Sequence, residues 1–80
     1  MTFNIVDEFS NAIIYLTKAV DLIPHSGVPA YNLGIAYENQ GEFKNSVSAF
    51  QLAYEREPHS QIFADRYESA KTNLIETKSS

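Results

Sequence analysis

The stretch PAYNLGIAYENQGEFKNSVSAFQLAYEREP, from Pro29 to Pro58, decides the fold. Apolar or small residues stand at Ala30, Leu33, Gly34 and Tyr37, a spacing that gathers them on one face of a helix. Gln40-Gly41-Glu42 then interrupts the pattern, and Gly41 suits the left-handed conformation that ends helices. Phe43, Val47, Phe50 and Tyr54 resume the helical spacing, while Ser46 and Ala53 are small enough to let a neighbouring helix approach. The stretch therefore predicts two amphipathic helices, over 28–39 and 43–56, joined by a short turn and folded back on each other.

Outward from this hairpin the signals continue. On the N-terminal side Phe9, Ala12, Ile13, Leu16, Ala19 and Val20 follow helical spacing. Asn4 is a candidate cap, and Asp7 and Glu8 lie in the first turn, where the helix dipole favours acids. Pro24 closes the run, because a residue before proline avoids helical angles. These features predict a helix over 5–22. Ser26 is placed to cap the next helix, and Pro29 is tolerated in a first turn. On the C-terminal side Ser60 is placed to cap a last helix over 61–77, with Ile62, Phe63, Tyr67, Ala70 and Leu74 as its apolar residues. The polar tail Thr77-Lys78-Ser79-Ser80 is expected to be disordered.

The chain also repeats itself. Pro58-His59-Ser60 follows Pro24-His25-Ser26 by 34 residues. The same offset pairs Phe9 with Phe43, Asn11 with Asn45, Ala12 with Ser46, Leu16 with Phe50 and Ala19 with Ala53. Thirty-four is the repeat length of the tetratricopeptide family, whose signature is W-x2-L-G-x2-Y, then A-x3-F, then P. Leu33-Gly34, Tyr37, Phe50 and Pro58 stand at those positions, with Ala30 in place of the Trp and Ser46 in place of the first Ala. At these residues the chain resembles a tetratricopeptide repeat. The resemblance covers about residues 9–74. It implies an all-α fold of about four helices, in antiparallel hairpins stacked as a short right-handed superhelix. The whole chain, 1–80, is then one domain. Helix 5–22 is the second helix of a half repeat, 28–58 a complete repeat, and 61–77 a C-terminal capping helix. In that last helix Tyr67, Glu68 and Lys71 replace the Leu, Gly and Tyr of the signature, which suits a side facing water.

Composition narrows the function. Lys and Arg number 6 against 10 Asp and Glu, a net charge of −4. That balance argues against nucleic acid and anionic membrane surfaces. Ten aromatic residues, five Tyr and five Phe, suit helix packing better than base stacking, which needs a basic stripe to neutralise phosphates. No cysteine is present, so neither disulfide nor thiolate metal site supports the fold. The longest apolar run, Ala12 to Leu16, is far too short for a membrane span. The N-terminal residues lack the basic start and apolar stretch of a secretory signal, so a cytoplasmic location is expected.

The residues that could carry chemistry are not arranged for it. His25 and His59 occupy equivalent turns, with no convergent ligands or nucleophile nearby in sequence. Gly27, Gly34 and Gly41 form no phosphate loop; Gly27 and Gly41 read as turn residues and Gly34 as a packing contact. Glu55 and Glu57 read as a solvated helix end. No catalytic residue, cofactor or metal site is expected, and the chain does not read as an enzyme.

What remains is binding. Helical repeats without chemistry work through the surface that stacking makes. The resemblance implies a groove lined by the first helix of each repeat: Val28, Tyr31, Ile35, Glu38 and Asn39, then Ile62, Asp65 and Ser69. Tyr31 and Ile35 make it amphipathic, suited to a peptide or helix with apolar anchors. Of the carboxylate clamp that the resemblance implies in some members, Asn32 fits one element, but Tyr31, Ile35, Asp65 and Ser69 stand where basic residues would be needed, which argues against an acidic peptide tail. Self-association is also expected. Three repeats are usually needed for a stable array, and Phe3, Ile5, Val6, Ile14 and Tyr15 add apolar area off the packed side of the first helix. The expectation is a non-enzymatic protein-interaction scaffold that binds a protein or peptide and forms a homodimer. The alternatives are a purely structural homo-oligomer and a fragment of a longer repeat protein.

Overall fold

The structure, a computed structural model, describes the backbone of residues 5–79 and the side chains of 11–75. Four helices follow one another: α1 (Ile5–Leu22), α2 (Val28–Asn39), α3 (Phe43–Arg56) and α4 (Gln61–Ser79). The first three occupy the expected spans. The fourth corrects one expectation: the helix runs on through Thr77 and Lys78 to Ser79 instead of dissolving into a tail. No proline or glycine follows Leu74, so nothing there forces the backbone out of helical angles. Among the described residues there is no strand, and the fold is all-α. Helix α1 packs on α2, α2 on α3 and α3 on α4, as short connections between successive helices dictate.

The connections show why. Gly41 has φ of +78°, a conformation that costs a residue with a Cβ about 1–2 kcal/mol. Its N–H donates to the Glu38 carbonyl at 3.0 Å, and the Glu42 N–H to the Tyr37 carbonyl at 2.9 Å. This pair of bonds satisfies the last carbonyls of α2 and turns the chain back towards α3. The two proline turns are copies. Ile23 N–H donates to Ala19 at 2.8 Å and Ser26 N–H to Ile23 at 3.3 Å. Thirty-four residues later Glu57 N–H donates to Ala53 at 3.0 Å and Ser60 N–H to Glu57 at 3.1 Å. The sequence echo is thus also an echo of backbone hydrogen bonds.

Both serines act at helix starts. Ser26 Oγ accepts from Val28 N–H at 3.2 Å, and Ser60 Oγ accepts from Phe63 N–H at 3.4 Å. Gly27, not Ser26, is the cap residue of α2, with an ordinary φ of −86°. It is therefore no left-handed turn residue. A Cβ there would lie 2.7 Å from the Ala53 carbonyl oxygen and 2.8 Å from the Phe63 ring. Gly27 is small because α3 and α4 press against the start of α2.

The core joins Val20, Ala30, Leu33, Ala49, Ala53 and Phe63, with Ile13, Leu16, Tyr31, Tyr37 and Leu52 packed against it. Phe50 is fully buried, and a Cβ on Gly34 would stand 2.7 Å from its ring. The packing role expected of Gly34 is the one the structure gives it. Ser46 is also fully buried, and its hydroxyl has no hydrogen-bond partner among the described residues.

The sequence reading missed one tertiary device. Arg56 and Glu57, at the end of α3, grip the loop between α1 and α2. The Arg56 guanidinium donates to the carbonyls of Val20 at 2.9 Å, Ile23 at 3.3 Å and Ser26 at 3.4 Å. A cation there complements the negative end of α1. Glu57, read from sequence as part of a solvated helix end, instead accepts the Gly27 N–H at 2.6 Å. Its carboxylate satisfies an otherwise unpaired donor at the positive end of α2.

Three substitutions test this packing by chemical denaturation. Ser46→Ala removes an unpaired buried hydroxyl and should stabilise the protein by about 1 kcal/mol; a loss of stability would mean that the hydroxyl has a partner. Gly34→Ala forces a methyl group onto the Phe50 ring and should cost about 1–3 kcal/mol. Arg56→Met should cost about 1–3 kcal/mol through its lost charged hydrogen bonds, and an unchanged midpoint would show that the grip on the loop is idle.

Candidate functional site

The surface expected to bind a partner comes from α2 and α4, and 34-residue spacing places its parts. Val28 and Ile62 begin equivalent helices and are 50% and 61% exposed. They are large apolar side chains open to solvent at matching positions of the two helices. Two contacts tie α2 to α4. The Tyr31 ring lies 5.1 Å from that of Phe63, and Glu38 pairs with Arg66 at 3.9 Å. This ion pair is long and partly solvated, so it orients the helices more than it stabilises them.

Tyr31 is half-buried, and its ring also sits 5.8 Å from Phe50. It links α2, α3 and α4, so much of its surface is committed to holding the helices together. Ile35 is half-buried, and Asn39 and Ser69 are exposed. Asp65 is exposed and accepts from the Gln61 amide at 2.9 Å. Along this face the open apolar groups are Val28 and Ile62 at the helix starts, and the polar ones follow towards the helix ends.

The far side of α4 has a different character. Lys71 pairs with Glu68 at 3.0 Å and lies 4.4 Å from the centre of the Tyr67 ring, which itself stacks on Tyr54 at 6.0 Å. The hydrogen bond that Lys71 donates to the Glu68 carboxylate raises the Lys71 pKa. Charged groups thus cover the aromatic residue that stands at the position of Leu33 in the preceding unit.

Helix α1 shows the opposite pattern. Of the residues expected to drive self-association, Ile14 is 53% and Tyr15 73% exposed. Phe3 lies outside the described residues, and so do the side chains of Ile5 and Val6. Two further open apolar residues went unnoticed in the sequence: Leu22 at 80% and Ile23 at 50%. Leu22 was legible in principle, being one helical heptad after Tyr15.

His25 and His59 are exposed in their matching turns. Among the described residues no three of His, Cys, Asp and Glu gather as a metal site would require. No described helix is long and apolar enough to cross a membrane.

Comparison with known families agrees with the hairpin geometry. The family model described as tetratricopeptide repeat matches residues 30–60, which span most of α2, the Gly41 turn, α3 and the second proline turn. Comparison with curated proteins finds no match. The matched span holds the hairpin closed at Gly41, with Phe50 buried under Gly34. Over residues 30–60 this chain is thus similar to a tetratricopeptide repeat.

Proposed function

We propose that the chain is a non-enzymatic scaffold of the cytoplasm that holds a peptide or helix of another protein against the face made by α2 and α4. In this reading 28–58 is the complete repeat, α1 the second helix of a half repeat and α4 the capping helix. The observation that carries it is the pair Val28 and Ile62, equivalent by register and both at least half exposed. They offer apolar anchors beside the polar groups of Asn39, Asp65 and Ser69. An apolar segment that also supplies donors to Asp65 suits this surface. The acidic net charge of −4 disfavours nucleic acid as the partner.

A second reading is supported by a separate observation. The exposure of Ile14 and Tyr15 on α1 fits a chain that also pairs with its own copies, or one whose α1 is covered by a further helix of a longer repeat protein.

Selection from a random peptide library on the immobilised chain tests the first reading. Enriched peptides should carry apolar anchors, and the double variant Val28→Asp, Ile62→Asp should bind them about tenfold or more weakly, with helical content and melting temperature unchanged. Peptides that bind the double variant equally well would remove this face from the account.

A further inference from the structure

Among its described residues helix α1 has two apolar sides, and one of them is largely open. Ile13, Leu16 and Val20 belong to the packed side. The other side carries Ala12, Tyr15, Ala19 and Leu22, alternately three and four residues apart, the spacing of a two-helix seam. Tyr15 and Leu22 are 73% and 80% exposed, and Ala12 and Ala19 are half-buried.

The repeat register says that this side is incomplete. Ala12, Leu16 and Ala19 stand 34 residues before Ser46, Phe50 and Ala53, each 0% exposed. In α1 all three remain half-buried. What covers such positions in α3 is helical, so a helix fits the open side of α1.

Two helices of a second copy could take that place. Helix α4 is a poor candidate. Glu68 stands where α2 has Gly34, and Lys71 where α2 has Tyr37. Seating α4 would push the Glu68–Lys71 pair against the apolar residues of α1, and the lost hydration outweighs the attraction. Helix α1 of the second copy fits better, in one orientation. Run antiparallel, Ala12 meets Leu22 and Tyr15 meets Ala19, so every layer sets a large side chain against a small one. Run parallel, Tyr15 would meet Tyr15 and Ala19 would meet Ala19, giving overpacked and empty layers in turn.

We propose that two copies pair through α1 in an antiparallel, two-fold arrangement with Ala12 against Leu22 and Tyr15 against Ala19. This rests on the self-association reading and gives it a surface and a geometry. A two-fold interface of this kind is closed, so the assembly stops at a dimer. The two Leu16 side chains flank the seam on one edge. The two exposed Lys18 side chains flank it on the other, so added salt should strengthen the pairing by screening their repulsion.

The chain has no cysteine, which makes cross-linking direct. Sedimentation of the full chain at concentrations on the order of 100 µM should give a dimer. Tyr15→Ala with Leu22→Ala should weaken it by about tenfold or more while helical content persists. Lys18→Cys should cross-link readily, because the two copies of residue 18 lie near the axis. Asn11→Cys should not, because its copies lie about 18 Å apart along the helices at 1.5 Å per residue. A monomer throughout would end the self-association reading with the proposal and leave the α2–α4 face untouched. A dimer indifferent to the double alanine variant would leave self-association standing but remove α1 from it. Faster cross-linking at residue 11 than at 18 would overturn the antiparallel register alone.

Discussion

Phe50 is buried completely, and it is so because Gly34 gives it room. The contacts of Tyr31 and Phe63 are arranged around it. With the Phe50 ring under α2, Tyr31 reaches over its edge and on to Phe63, which brings α4 alongside. Gly27 is small for the same reason seven residues earlier, where Ala53 and Phe63 close on the start of α2. A chain of this length buries only about 60% of its unfolded surface, so a few close approaches carry much of its stability.

Around that contact the two ends of the molecule are finished differently. At α4 the position equivalent to glycine carries Glu68, and a lysine lies over Tyr67, so the last helix turns charge to solvent. At α1 the equivalent of the buried Ala49 is Tyr15, open to solvent. Around Tyr67 the α4 end presents charge, whereas the matched stretch of α1 is apolar. That asymmetry follows from side-chain chemistry at matched positions, and the proposed pairing through α1 rests on it. The Arg56–Glu57 grip fits the same picture, since it anchors the loop that fixes α1 on the hairpin and so presents its open side in a defined direction.

How far the residues alone foretold this depends on range. Helix limits were legible where a breaker stands: Pro24, Gly41 and Pro58 each act through local sterics. The end of α4 was not, because Thr77 to Ser79 are polar without being incompatible with a helix. Val28 and Ile62 were legible as a matched pair once the 34-residue register was seen. Tyr31 was placed on the right face, but its part in packing needs Phe50 and Phe63 brought together from distant positions. The grip of Arg56 on Val20 spans 36 residues, and no spacing rule carries that far. Gly27 lies in the bend before α2, as a turn residue should, but the crowding that keeps it small comes from two helices that the local sequence does not contain.

The most direct test of this account is residue-resolved hydrogen exchange on dilute protein, where pairing between copies is negligible. If the hairpin around Gly34 and Phe50 holds the rest, the slowest amides lie in α2 and α3, and those of α1 open at lower free energy. Uniform protection across all four helices, or a hairpin that opens before α1, would contradict it.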